Sequence, residues 1–370
     1  MKRFLVALGL GLALLASRRA EAYPQFQIGK DPTCTGCHIS PAGGGLLNEN
    51  GLGVAGGISK WGTAPEFFYG GVPQPDWLDL GGDMRGAAGY FQTPFKTLAG
   101  FPMQTDVYAS AHFSGFRIYA ALGYRPPENR NAATTFAWSR EHYLMWQSDE
   151  GTPFGLFVRI GRFMPVFGLR FAEHPDYTRR FGGTALYTET YGAAVEYIAK
   201  DFEVHGTGFV ADPLIDAVDT ASGGALYAEY RVTEHASVGV EGMIQRTTDD
   251  KRYRGGITGK LFVSGPDILL QTELQVVSQV VDAGGAPKQI VGYGLGSKEL
   301  GSGLLLDLGL GYYKENLRIQ HVDRDCVDAN LHWFATSHIE LIWNNRLEMI
   351  GFGKGGPTGV YSLIQLHYRL

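Results

Sequence analysis

Two thiols and an imidazole form the group of residues whose spacing points most directly to a reaction: Cys34-Thr35-Gly36-Cys37-His38. Cysteines separated by two residues can each add to one vinyl group of a haem, and an adjacent histidine is placed to bind the iron from the same face. C-x-x-C-H is therefore a c-type haem attachment sequence, implying one covalent haem c with His38 as proximal iron ligand. The same five residues also admit a Cys34–Cys37 disulfide, half of a zinc site, or coincidence. Zinc is the poorest of these, because no second C-x-x-C supplies the other half. The remaining cysteine, Cys326, has no mate at a recognisable spacing and reads as an odd thiol in a loop.

What such a haem does depends on the sixth iron ligand. Residues 23–83 contain no Met and, apart from His38, no His. The segment carrying the motif cannot supply that ligand, so the iron is either five-coordinate or ligated from elsewhere in the chain or from a partner. His112, His205, His332, His338 and His367 are the candidates, with Met243 a weaker one; each is also readable as an ordinary solvated polar residue. Met84 shares strand parity with Leu80 and Tyr90 and is expected to face lipid. No nucleophile elbow, metalloprotease helix, P-loop or paired-carboxylate signature accompanies the motif, so no enzyme is expected. Gly51-Leu52-Gly53-Val54-Ala55-Gly56 fits G-x-G-x-x-G, but no apolar strand precedes it and it reads as flexible backbone.

The elements that must position these residues are strands. The 370 residues include 52 Gly, 44% are hydrophobic, 12% aromatic and only 19% charged. Gly at this density disfavours a helix-rich chain, at up to about 1 kcal/mol per helical position, and the apolar content excludes disorder. A net charge of −5 gives no sign of a polyanion-binding surface. Lys2 and Arg3, the apolar run Phe4–Leu15 and Ala20-Glu21-Ala22 read as an export signal, cleaved after residue 22. That run is shorter than the roughly 20 residues of a spanning helix, and no later run approaches that length.

From residue 78 the period is two. Phe116, Ile118, Leu122 and Tyr124 alternate with Arg117, Tyr119 and Gly123; Leu156, Val158 and Ile160 with Phe157 and Arg159; Leu270, Leu274 and Val276 with Gln271, Glu273 and Gln275. Sixteen such runs follow one another, near 78–92, 104–113, 116–125, 138–148, 154–163, 185–198, 202–210, 224–232, 235–246, 253–263, 267–278, 289–300, 302–313, 329–335, 338–350 and 359–370. Short turns alternate with mostly longer loops such as 93–103, 126–137, 164–184, 211–223 and 314–328. This is the pattern of an all-β, transmembrane antiparallel barrel of about 16 strands (14–18), with short periplasmic turns and longer outer loops. A soluble sandwich or propeller would share the short strands. Three regions result: an export signal (1–22), a Gly-rich monohaem segment or plug at the periplasmic mouth (23–77), and an outer-membrane barrel (78–370). On this assignment the five histidines lie near the periplasmic end and face the lumen.

Three resemblances extend the reading. Ile364, Leu366, Tyr368 and Leu370 resemble the C-terminal strand by which outer-membrane proteins are recognised for insertion, with Leu370 where Phe is usual. Tyr23-Pro24-Gln25-Phe26, Cys34 to His38 and Leu47-Asn48-Glu49-Asn50-Gly51 together resemble the N-terminus of exported monohaem proteins that carry an outer-membrane barrel in metal-respiring and related bacteria. That match covers about thirty residues, and it implies a porin-like protein of the outer membrane that works in electron transfer with partner cytochromes. In general porins the loop after the fifth strand folds into the lumen. By that resemblance, loop 164–184, with Arg170, Glu173, His174, Asp176, Arg179 and Arg180, forms a charged constriction; otherwise it is an exposed outer loop. A solute diffusion channel with a structural or sensory haem is the alternative function, and a five-coordinate haem enzyme the second alternative.

Overall fold

The structure, a computed structural model, describes residues 33–92, 96–124, 137–173, 175–185, 188–212, 221–281, 284–320, 323–351 and 356–370. The export signal, Tyr23 to Phe26 and His174 lie outside them. Sixteen strands form one closed antiparallel barrel: β1 Leu78–Gln92, β2 Lys96–Phe113, β3 Phe116–Tyr124, β4 Ala137–Gln147, β5 Gly155–Phe163, β6 Thr190–Ile198, β7 Phe202–Val210, β8 Ser222–Thr233, β9 Ala236–Arg246, β10 Asp250–Val263, β11 Ile268–Val281, β12 Lys288–Gly301, β13 Leu304–Lys314, β14 Asp323–Thr336, β15 Ile339–Ile350 and β16 Pro357–Arg369. Each strand pairs with its sequence neighbours, and β1 closes the ring on β16, with Asp83 opposite Arg369 on one side and Asp106 on the other. No sheet edge is left open, which is the condition for a sheet to cross a bilayer.

The alternation places apolar side chains outward. Ile118, Ile160, Leu310 and Ile364 are 61–66% exposed, whereas their strand neighbours Tyr119, Arg159 and Gln365 are buried. An exposed apolar belt around a closed barrel is a lipid-facing surface. Among the described residues no helix is long and apolar enough to cross a membrane.

The two largest boundary differences from the sequence reading each have a local reason. The expected loop 93–103 is mostly strand: β2 starts at Lys96, and Pro102 is accommodated where the β1–β2 register shifts between Arg85 and Gly86. A bulge tolerates a residue that cannot donate to the ladder. β14 starts at Asp323 rather than 329, because a lumen wall accepts the charges of Asp323 to Asp328 that read as loop. Cys326 therefore lies on β14 and not in a loop, buried beside Tyr177 and Gly311.

Residues before β1 form a plug inside the barrel. The turn Cys34–Gly36 leads into a bridge between His38 and Leu47, then a helix, α1, Glu49–Ile58. The G-x-G-x-x-G stretch is thus helical. Asn48 caps α1 by accepting the Gly51 N–H at 2.9 Å, which offsets the low intrinsic propensity of its glycines. Gly51 itself is required by packing, since a Cβ there would lie 2.1 Å from the Cys37 carbonyl oxygen.

Candidate haem-attachment turn and the lumen around it

The Cys34–His38 turn is held by α1. Cys37 N–H and His38 N–H both donate to the Cys34 carbonyl, at 3.2 and 2.8 Å. Asn48 Nδ2 donates to Thr35 O and Asn50 Nδ2 to Gly36 O, each at 2.8 Å, and Asn48 N–H to Cys37 O at 2.9 Å. The Leu47 to Gly51 stretch that marks the family resemblance is therefore the clamp on the motif.

The plug docks deep. Thr35 Oγ1 donates to Pro153 O at 2.7 Å in the β4–β5 turn, and Arg159 Nη1 reaches Ser40 Oγ at 3.3 Å. Arg159 is the middle residue of β5, so Ser40 sits well inside the barrel. Ile39 and Leu46 join the lumen aromatics Tyr108, Tyr119 and Tyr143 in one apolar cluster. At the short-turn end, Lys60 and Trp61 N–H groups pair with Phe334 and Ala335 carbonyls at 2.8 and 3.0 Å. The segment thus enters the lumen from the short-turn end, with Thr35, Lys60 and Trp61 at that end and Ser40 further in.

The residues of the turn suit a covalently attached haem. Neither Cys34 nor Cys37 is in a disulfide, and Cys34 is accessible. The surrounding wall nevertheless encloses the site: burial, with the Glu203 carboxylate, raises the Cys34 thiol above its ordinary value against the pull of Lys260 and Arg170. His38 Nδ1 is buried without a hydrogen-bond partner. Burial, with the charges of Arg369 and Arg170, pushes the imidazole down to about 4, so it is neutral at pH 7, the form in which a histidine ligates a metal. Beside Leu46 and Leu47 a cavity of about 450 Å³ opens, flanked by Leu52, Tyr108, Asp83 and Arg369. No cluster of three or more metal-ligating side chains occurs among the described residues.

The five candidate histidines separate by what they already touch. His367 is committed through both nitrogens, to Asp83 Oδ1 at 2.6 Å and Glu340 Oε2 at 2.9 Å. His332 Nδ1 bonds Glu340 Oε1 at 2.9 Å, and its Nε2 stands 3.3 Å from Asp307. His338 Nδ1 meets Arg369 O at 2.8 Å, and its ring packs on Tyr69 at 4.1 Å. His112 is exposed at the short-turn rim. His205 alone is both buried and without a hydrogen bond, 3.4 Å from Glu203 and 3.6 Å from Glu196. Glu203 is also the carboxylate that acts on Cys34. Met243 is packed with Phe167, Phe209 and Ala225, and Met84 faces outward, 45% exposed.

Loop 164–184 enters the lumen. Its short helix α2, Tyr177–Gly182, lies against β11 to β13. Phe181 stacks on Tyr313 at 4.0 Å and Phe171 meets Tyr293 edge-on at 5.0 Å. Most of its charges serve this docking. Asp176 pairs with Arg346 at 3.0 Å, and Arg179 donates to Phe171 O at 2.7 Å and Thr184 O at 3.3 Å. Arg170 bonds the Ala42 carbonyl of the plug. Arg180 is exposed, 3.4 Å from Glu348, and Glu173 is half-buried. The inward loop and the plug therefore meet in the middle of the barrel, a contact that nothing in local sequence spacing reveals.

No family model and no curated protein sequence matches the chain. Solved structures do. OmpT, expressed in the outer membrane of Vibrio cholerae, superposes with a TM-score of 0.62 at 12% identity over 81% of this chain and 100% of that one. OprB of Pseudomonas putida gives 0.59 at 12% over 79% and 94%. An anion-selective porin from Comamonas acidovorans gives 0.57 at 12% over 79% and 99%. At these identities the likeness establishes the fold, a 16-stranded barrel of the outer-membrane porin type.

Proposed function

We propose that this chain is an outer-membrane, porin-like barrel that carries one covalent haem c inside its lumen and passes electrons between a periplasmic partner cytochrome and an acceptor or donor on the long-loop side. The observation that supports the reading is the setting of the C-x-x-C-H turn: it is clamped by Asn48 and Asn50, held to the β4–β5 turn by Thr35, and has its imidazole held neutral. When bound, haem supplies a one-electron Fe(III)/Fe(II) couple. Cys34 and Cys37 anchor it, His38 ligates it, and the plug excludes bulk solvent from it. A single haem at one mouth could not bridge an apolar belt about 25 Å tall. The turn lies towards the short-turn end, where Thr35 meets Pro153, so a partner cytochrome docks at that rim and a further carrier completes the path on the long-loop side.

His205 is the residue this reading assigns as sixth ligand. The test is the absorption spectrum of purified protein after denaturation. A c-type spectrum that persists, and is lost in Cys34→Ser with Cys37→Ser, is the expected result; an unpigmented wild type matured in a haem-attaching host sinks the proposal.

The porin fold favours a second reading, a solute channel gated by the plug. Steady conductance in planar bilayers that is indifferent to reduction would select it.

A further inference from the structure

Away from the haem-attachment turn, the lumen wall carries a group of acceptor oxygens that lack donors. Glu241 on β9 and Glu273 with Gln275 on β11 all point inward, and 7%, 3% and 1% of their surfaces are exposed. The strand between them opposes both with Gly256, in register with Glu241 on one side and Gln275 on the other. A Cβ at Gly256 would lie 2.2 Å from Glu241 Oε1, so the absence of a side chain there is what lets Glu241 reach across. Above them passes the inward loop at Gly168, in the left-handed region at φ +64°. A Cβ at that position would lie 2.6 Å from Glu273 Oε1 and 2.8 Å from Glu241 Oε2. Both carboxylates thus converge under one backbone atom.

Their hydrogen bonding is unequal. Glu273 accepts from Leu169 N–H at 2.8 Å and from Gln275 Nε2 at 2.6 Å. Among the described residues neither oxygen of Glu241 meets a donor at hydrogen-bond distance, nor does Gln275 Oε1; Gln275 is the side chain that acts on Glu241. Arg179, whose charge reaches Glu273, directs its N–H groups to the Phe171 and Thr184 carbonyls. Buried acceptors are nearly always satisfied, and two carboxylates this close repel each other strongly where water is excluded. What is missing is positive charge with a preference for oxygen.

We propose that Glu241 and Glu273, with Gln275 turning its amide oxygen towards them, bind a hard divalent cation of the calcium or magnesium class. Two carboxylates balance its charge, and an all-oxygen donor set selects hard ions over zinc or copper. The ion ties the Gly168–Leu169 stretch of the inward loop to β9 and β11. Two residues on, Arg170 bonds the plug at Ala42. The site therefore stabilises the junction of loop and plug, and it does not depend on haem being attached.

The experiment is calorimetric titration of the full chain in detergent, stripped with chelator, using CaCl2 and separately MgCl2. One saturable site for at least one ion, with a higher unfolding temperature in its presence, is expected. Glu241→Gln should weaken binding by more than the roughly tenfold that loss of an outer-shell contact costs, and Glu234→Gln, on the exposed β8–β9 turn, should leave it unchanged. Heat-modifiable gel migration reports whether each variant has formed a barrel; if Glu241→Gln has not, Glu241→Asp, which shortens the arm but keeps the charge, is titrated in its place. Absence of saturable binding of either ion to wild type overturns the proposal. So does an infrared carboxylic-acid band in wild type that Glu241→Gln removes, which would show a proton in place of the cation.

Discussion

The two sides of the lumen use the same residue types to opposite ends. Along β14 to β16 and β1, carboxylates and imidazoles alternate in one hydrogen-bonded chain: Asp83 to His367 at 2.6 Å, His367 to Glu340 at 2.9 Å and Glu340 to His332 at 2.9 Å, ending at His332 Nε2, which stands 3.3 Å from Asp307 without a hydrogen bond. Beside it Arg346 pairs with Asp328 at 2.5 and 2.7 Å. Along β7 to β11 the pairing is looser: His205 stands 3.4 and 3.6 Å from Glu203 and Glu196, and among the described residues Glu241 meets no donor at hydrogen-bond distance. A satisfied buried network rigidifies a wall. An unsatisfied one marks where the chain needs something it does not itself contain, and here that side also carries the charges that act on Cys34.

Stability should separate the two walls most widely. Glu340→Ala leaves two buried imidazoles without their shared carboxylate, and the expected loss is about 3–5 kcal/mol, the cost of breaking a buried pair. Glu241→Gln, measured in chelator, removes an orphaned charge and is expected to be neutral or to stabilise by about 1–3 kcal/mol, the desolvation penalty of an unmade bond. Urea unfolding in matched micelles checks both. Equal destabilisation by the two would erase the distinction between the walls.

In the haem-bearing form proposed above, spectroscopy sharpens the same contrast. His205→Ala should convert a low-spin spectrum to high-spin and admit cyanide, whereas His367→Ala should leave the spectrum unchanged while lowering the unfolding temperature. The reverse outcome would move the functional wall to β13–β16.

Much of this was legible before the structure, and the limits have physical causes. Alternation identifies the barrel because a side chain on a strand has only two faces, one of them facing lipid; Ile118 and Arg159 fall where that rule puts them. The rule says nothing about which lumen residues meet. Sequence parity made five histidines equivalent; partners such as Asp83 for His367, 284 residues apart, made them different. α1 was hidden by its own glycines, whose use lies in the approach of Gly51 to Cys37. The Glu241–Glu273 convergence depends on a gap at Gly256 and on a loop arriving from elsewhere, neither of which is visible in spacing along one strand. The C-x-x-C-H spacing is local, so the sequence alone shows the residues, and the structure adds the Asn48 and Asn50 contacts that hold their turn.

A last expected effect concerns the plug in protein whose two motif cysteines are replaced by serine. His38 in the docked turn sits at about 4, below its ordinary 6.5, because burial and the Arg369 and Arg170 charges disfavour the imidazolium. The undocked turn therefore binds a proton that the docked turn does not, throughout the window between those values. Docking is at full strength above pH 6.5 and weakens as pH falls towards 4, by at most about 1.4 kcal/mol per pH unit, the slope for one proton. Limited proteolysis of residues 33–77 should accordingly accelerate between pH 6.5 and 4.5. His38→Gln, which removes the titration, should flatten that dependence. The paired wall predicts no such change in the barrel core, so a protease pattern that opens the β14–β16 strands over the same range would mean that the network on that side, and not the turn, is the acid-sensitive element.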